Sequence, residues 1–423
     1  MHSSEEQELF TCVESQLPHY LAEAEAWLAT TNTDEQSYVL LQDAIHQQLQ
    51  QRGLFPEVLD TEKSVLCTEK EGVTSTTLLL YYHYDRTENA RGLLPFLASL
   101  AVLDLYHTLG RPLPITIKWL IDGSGSRKFF PDSGGIASLA ADYILWHRAH
   151  QATESAPSLA LGVKGYLSIS LSVETASAPL ASSYGAVLPN AAWRLLWTLN
   201  SLKDAHEDIL IEGFYDTLVP ADDQLLEALY TLPASLPPYG DQASFSPYLL
   251  RLHGFQLHYA HLLLPTCSII TIDSQPSSLS QGNTPAYLPQ QAHAQVDFYL
   301  VPAQEPEDIF AKIQQHLQQY DFSDIVLEQH AASYASSISA AHPFVTCVQE
   351  AITLAHGTAP DVLPLAAENF PFASSAQVPP LLVYTLGKMT AKEGDVLDAT
   401  SYANAIKQLM LLLERLGREQ QSS

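Results

Sequence analysis

Apolar residues recur every three or four positions from about Glu8 to Arg52, which predicts helices that stop at Gly53. A short continuous apolar run, Thr77-Leu78-Leu79-Leu80-Tyr81-Tyr82, then ends in His83-Tyr84-Asp85. Such a run suits a strand buried on both faces, as in a parallel sheet. Leu93 to Leu109 reads as a helix that tolerates Pro95 in its first turn and stops at Gly110, and Ile115 to Ile121 reads as a second buried strand. Strand, helix, strand in this order predicts a βαβ unit. The period changes near Gly165. Leu167, Ile169, Leu171 and Val173 alternate with Ser168, Ser170 and Ser172, and Ala294, Val296, Phe298 and Leu300 alternate with polar neighbours. Period-two alternation predicts strands with one solvated face. Helices are predicted around Trp193 to Leu202 and from Pro306 through Leu317. A continuous apolar strand returns at Pro380 to Tyr384, and a last helix carries Ile406, Leu409, Leu413 and Leu416 and stops at Gly417.

This order predicts an α/β fold with a mixed, mostly parallel sheet sandwiched by helices and interrupted by an inserted α+β unit. The boundaries fall at 1–163 and 336–423 for the α/β part and 164–335 for the insert. The 423 residues suit such a division, and a hydrophobic fraction of 46% fits a globular chain. Forty-seven acidic residues against 20 basic ones leave a net charge of −27. That surface repels phosphate backbones and anionic lipid, so neither nucleic acid nor membrane is an expected partner. No apolar run approaches the ~20 residues that span a bilayer. Residues Met1 to Glu6 lack the pattern of a signal peptide, and a cytoplasmic protein is expected. Cys12, Cys67, Cys267 and Cys347 are far apart and read as reduced thiols.

The chain has no P-loop, no G-x-G-x-x-G, no H-E-x-x-H and no G-x-S-x-G. Three places carry chemistry instead. His83-Tyr84-Asp85 sits at the C-terminal end of a buried strand, where open α/β sheets place ligands. His83 reads as a metal ligand with Asp85 orienting it, or as a structural histidine. His147 and His150 have the three-residue spacing that serves a metal on a helix, or are incidental. Gly123-Ser124-Gly125-Ser126, followed by Arg127 and Lys128, is a plain turn or an anion cradle.

The order of segments resembles the zinc-dependent aminoacylase, carboxypeptidase and carnosine-dipeptidase family of peptidases over nearly the full length. Leu78 to Asp85 is similar to the family strand ending in G-H-Y-D, whose His binds zinc. Trp119-Leu120-Ile121-Asp122-Gly123 is similar to the strand leading to its E-E pair, and Ile211-Glu212-Gly213-Phe214-Tyr215-Asp216 resembles a segment of the dipeptidase branch. Pro265-Thr266, Gly282-Asn283-Thr284 and Asp297-Phe298-Tyr299-Leu300-Val301-Pro302 resemble signposts of the family's lid. The resemblance implies a zinc-binding α/β unit with a lid that dimerises, and a small peptide or amino-acid-like ligand.

The same resemblance implies that the catalytic set is depleted. His83 and Asp85 match the family pattern. The stretch that carries the bridging Asp corresponds to Asn89-Ala90-Arg91-Gly92, without an acid. The E-E pair, which includes the family's catalytic base, corresponds to Gly123 to Ser126. A further acid corresponds to His147 or Arg148. The lid His corresponds to Ala181, the lid Arg to Tyr299, and the last His falls within Ala391 to Asp395. What remains is His83 as a remnant ligand, Asp85 beside it and His147 as a third candidate, with no catalytic residue intact and zinc not expected at full occupancy. Loss of the base alone costs ~10²–10⁴ in rate. The expectation is a degenerate peptidase-like protein with a binding or regulatory role, dimeric through its lid. The alternative is an active metal-dependent hydrolase of dipeptides or N-acyl amino acids with rewired ligands, for which Glu88, Asp104, Glu368 or Asp395 would step in.

Overall fold

The computed structural model describes residues 4–29, 35–59, 64–84, 93–123, 139–147, 157–177, 180–221, 223–232, 234, 248–275, 287–373, 378–385 and 397–421. Two helices open the chain, α1 (Ser4–Ala29) and α2 (Glu35–Gln51). There follow β1 (Glu57–Val58), β2 (Val65–Lys70), β3 (Thr77–His83), α3 (Leu94–Thr108), β4 (Thr116–Asp122), β5 (Tyr143–His147) and β6 (Ser158–Ala160). The middle of the chain forms β7 (Gly162–Glu174), β8 (Leu180–Ala181), α4 (Ala191–Leu202), α5 (Asp223–Tyr230), α6 (Gly254–Leu263) and β9 (Thr266–Gln275). It continues through β10 (Tyr287–Leu288), β11 (Gln291–Leu300), α7 (Pro306–Gln319) and β12 (Val326–Ser333). The chain closes with β13 (Ser336–Ser337), α8 (Pro343–His356), β14 (Asp361–Leu363), β15 (Ala366–Asn369), β16 (Leu381–Thr385) and α9 (Ala399–Gln421).

An eight-stranded mixed sheet runs β1-β2-β4-β3-β5-β16-β6-β14. Its centre is parallel: β3 pairs with β4 and β5, and β5 pairs with β16, all in the same direction. The predicted βαβ unit is therefore β3–α3–β4. One face of this sheet packs on the helices, with Leu78, Leu80, Tyr82, Trp119, Leu145 and Leu382 against residues such as Val13, Ile45, Phe96, Phe344 and Ile406. The opposite face, carrying Leu79, Tyr81, Leu120, Trp146 and Val383, packs on Val163, Ala366 and Phe370. Each fully buried Leu or Phe here is worth about 1.5–3 kcal/mol. The buried indole of Trp119 donates to Ser99 Oγ at 2.8 Å, and Ser99 donates to Phe96 O, so α3 and the sheet share a satisfied polar link.

The second sheet has β12-β7-β11-β9 as its main path, all antiparallel. Its inward residues are the predicted ones, Leu167, Ile169 and Leu171 with Ala294, Val296 and Phe298, packed under α4 and α7. The other face departs from expectation. Ser168 and Ser170 are buried rather than solvated. Ser168 Oγ donates to Asp297 Oδ1 at 2.7 Å and Tyr166 Oη to Asp297 Oδ2 at 2.6 Å, a polar cluster across β7 and β11. A second departure concerns the last helix. α9 runs through Gly417 to Gln421 instead of stopping there. A Cβ on Gly417 would stand 2.7 Å from Cβ of Pro114, so this glycine serves close approach and not termination.

β7 joins the two sheets. Val163, near its start, belongs to the core of the first, and Leu167 onward to the core of the second. Around Val163 the strand is flanked on both sides, by β13 antiparallel and β15 parallel. Gly162 permits this crowding, since a Cβ there would lie 2.0 Å from Ser336 O.

Candidate functional site

The C-terminal ends of β3, β4, β5 and β16 form the crevice edge at which parallel sheets place ligands. Parallel register sets His83 beside Asp122 and Tyr82 beside His147. Side chains alternate along a strand, so His83 shares its face with Tyr81 and Asp122, whereas His147 shares the helix-packed face with Tyr82. The two histidines named from the sequence are therefore on opposite sides of the sheet. His147 is also on a strand, so the helical H-x-x-H geometry does not arise; His150 lies outside the described residues.

His147 sits between two tyrosines. Its ring is 6.3 Å from Tyr82 in a stacked arrangement and 4.8 Å from Tyr384 edge-on. Neither ring nitrogen meets a hydrogen-bond partner among the described residues. Burial pushes its pKa down to about 3, so the imidazole is neutral near pH 7.

On the other face, the Tyr81 hydroxyl donates to Asp122 Oδ2 at 2.9 Å, and both groups are buried. The desolvated phenol, beside a carboxylate, is held well above its usual pKa. The Tyr81 ring contacts Trp146 at 5.2 Å, Phe370 at 5.1 Å and Phe372 at 5.8 Å, each edge-to-face. The end of β4 is fixed on both sides: Tyr84 N donates to Asp122 O and Gly123 N to Ser64 O, each at 2.9 Å. Sequence reasoning missed Asp122, Tyr81, Trp146, Phe370 and Phe372. Asp122 could have been found as the acid that closes a buried strand in register with His83. The two phenylalanines come from a segment almost 300 positions away, and nothing in their local pattern marks them.

Among the described residues no group of three or more His, Cys, Asp or Glu is placed to hold a metal ion. His83 and Asp122 lie together, but the Asp122 carboxylate already accepts from Tyr81, and His147 faces away. By themselves these described donors fall short of the three or four converging ligands that zinc takes. Asp85, Glu88, residues 89–92, Ser124 to Lys128, Arg148 and residues 391–395 lie outside the described residues. Asp104 is no substitute ligand, because it pairs with Arg52 at 2.9 Å beneath α1. Glu368 is on β15, near the buried Lys164, whose positive charge it favours. Ala181 pairs with Tyr287 in the two-stranded β8–β10 ladder. Tyr299 packs its ring 5.3 Å from Tyr166. The Ile211 to Asp216 segment is a nailed-down turn. Lys312 Nζ donates to Gly213 O, Gln304 Nε2 donates to Phe214 O, and the Phe214 side chain is in the core of the second sheet.

A surface also presents itself on the second sheet. Trp193 and Trp197 of α4 stack at 6.0 Å and are both 56% exposed. With Leu196, Leu249, Ile269 and Ile272 they line an apolar groove of about 780 Å³ beside the edge strand β9. Exposed apolar area of this kind is found at protein–protein and membrane contacts and in ligand grooves.

Comparison with known proteins agrees with this architecture. Residues 161–324 match the family model M20_dimer, the peptidase dimerisation domain. Human Beta-Ala-His dipeptidase is 21% identical over 293 residues, an alignment that covers 64% of this chain and 55% of that protein. The chain thus spans about half the length of the curated relatives it matches. Among solved structures, the M20 family metallo-carboxypeptidase Sso-CP2 from Sulfolobus solfataricus superposes with a TM-score of 0.67 at 21% identity, covering 91% of this chain and 96% of that one. The dipeptidase Dug1p from Saccharomyces cerevisiae gives 0.69 at 17% identity, covering 99% of each. No helix among the described residues is long and apolar enough to cross a membrane.

Proposed function

We propose that this chain is a catalytically degenerate member of the M20 metallopeptidases, which binds a small peptide or amino-acid-like ligand at the ends of β3, β4 and β5 without hydrolysing it. The observation that carries this reading is the sequence just beyond β4. Hydrogen bonds fix the strand end at Asp122 and Gly123, and the next three residues are Ser124, Gly125 and Ser126. Downstream the next acid in the chain is Asp132, and upstream the neighbouring acid is Asp122, whose Oδ2 accepts from the Tyr81 phenol. Without a base there, water activation of the family type lacks its proton acceptor. The arrangement around Asp122 supports the same reading, for its Oδ2 accepts from the buried Tyr81 phenol.

The division into 1–163 with 336–423 and 164–335 is part of this proposal, as is a homodimer formed through the insert. The groove of Trp193, Trp197, Ile269 and Ile272 beside β9, an edge strand among the described residues, supports that dimer. The name of the human relative makes β-Ala-His the first ligand to try.

The test is zinc content of the purified chain after incubation with excess zinc and desalting, together with hydrolysis and calorimetric binding of β-Ala-His. Zinc near zero and no turnover are expected. About two zinc ions per chain with turnover would overturn the reading in favour of a hydrolase with rewired ligands.

A further inference from the structure

The first helix is held in two different ways on either side of Pro18, which stands inside α1. Beyond Pro18, Tyr20, Ala24, Trp27 and Leu28 are buried in the core. There Arg52, almost wholly buried, donates to both oxygens of Glu23 at 3.1 Å and to Asp104 at 2.9 Å. Before Pro18 only Leu9 and Val13 are buried. The rest of that half is fastened by charge. Glu5 pairs with Arg418, Glu6 with Arg415 at 3.4 Å, Glu8 with Arg111 at 2.6 Å and Glu14 with Lys407 at 2.8 Å. The Lys407 ammonium also lies over the Phe10 ring, 4.9 Å from its centre. In each of these ion pairs the acid is on α1 and the cation on the body, three of the four cations being on α9.

A proline has no N–H to give to the carbonyl four residues back, here that of Glu14, and its ring crowds that carbonyl, so the helix is weakest at this point. Before it, Thr11 Oγ1 donates to Gln7 O and Ser15 Oγ to Cys12 O, each at 2.8 Å, bonds that favour bending. α1 carries six glutamates and neither Lys nor Arg. On a chain with a net charge of −27 such a helix is repelled by the surface at large, and four of the 20 basic residues stand where its first half lies. Exposed pairs of this kind are individually weak. Nor does letting go strand a charge. Arg415 keeps Glu350 at 2.8 Å, and the side chains of Arg111 and Arg418 are 36% and 58% exposed even with the helix in place. We propose that residues 4–17 are a charge-latched arm, which swings out on Pro18 while the rest of α1 stays docked and so governs access to the cation-bearing face of α9.

Hydrogen–deuterium exchange of the full chain, without ligand or metal, tests it. Amides of 5–17 should exchange about tenfold or more faster than those of 20–28, with the step at Pro18, as expected for a local opening below the global unfolding energy. Glu5→Gln, Glu8→Gln and Glu14→Gln together keep good helix formers in place. They should speed exchange of 5–17 by about fivefold or more and leave 20–28 and the core strand 78–82 unchanged. Lys407→Glu should loosen the arm in the same way, and Glu14→Lys added to it should restore protection. Pro18→Ala should remove the step. Equal protection of 5–17 and 20–28 in the unaltered chain would overturn the proposal, because α1 would then open as one body. So would a glutamine variant with unchanged exchange, because Leu9 and Val13 alone would then hold the arm. The readout involves neither metal nor turnover, so it stands or falls apart from the degenerate-peptidase reading.

Discussion

Tyr81 and Asp122 are joined by a hydrogen bond of 2.9 Å between the neighbouring strands β3 and β4. Tyr81→Phe keeps the ring contacts and removes only the donor. The expected loss is about 1–3 kcal/mol in urea denaturation, the cost of leaving a buried carboxylate oxygen short of a partner. A change below about 0.5 kcal/mol would mean that Asp122 is satisfied without the phenol.

His147 gives a pH signature with a definite sign. Its pKa is lowered by burial to about 3 in the folded chain, against about 6.5 when unfolded. The unfolded state therefore takes up the proton first, and stability falls as pH drops from about 6.5 toward 3. His147→Leu should flatten that slope by several kcal/mol across the window, seen as a difference between the two proteins' denaturation midpoints at pH 4.5 and pH 7. Parallel pH profiles would show that the imidazole is hydrated or partnered when the chain folds.

Lys164 gives the complementary case at high pH. Its burial lowers the ammonium pKa from 10.5 to about 8. Between those values the unfolded chain holds a proton that the folded chain has released, so this group adds stability as pH rises from about 8 to 10.5. Comparison with Lys164→Met over that range isolates the contribution, and a wild-type profile that falls faster than that of the variant contradicts the assignment.

The stacked pair Trp193 and Trp197 sits at the centre of the proposed dimer face. Central aromatic residues carry most of an interface's energy, about 2 kcal/mol or more each. Replacing both with Ser should give a monomer in analytical ultracentrifugation with an unchanged melting temperature, since both are exposed in the isolated chain. A dimer that persists places the interface elsewhere.

Gly417→Ala separates two explanations of one glycine. Inside a helix, Ala should gain about 1 kcal/mol from propensity. The new methyl would meet the Pro114 ring, and overpacking costs about 1–3 kcal/mol. A lower melting temperature is expected, and a higher one would show that α9 and Pro114 separate without penalty.

By itself the sequence determined the local periods and what they imply. The continuous runs at Leu78 and Leu381 had to be strands buried on both faces, and the alternation at Leu167 and Ala294 had to give one-sided strands, because side-chain direction follows backbone geometry. The resemblance to the peptidase family, and the missing acids after Asp122, were also legible, since both are statements about residue order. Only the tertiary structure decided which side chains meet. The spacing of His83 and His147 suggests nothing against a shared ion, yet parallel register puts His147 beside Tyr82 and turns it to the other face. Gly417 looks like a helix stop until Pro114 is seen against it. Phe370 and Phe372 have no local signature at all. They reach Tyr81 because β15 pairs with β7, and pairing between distant strands is fixed by the fit of two buried surfaces, which no single stretch of chain contains.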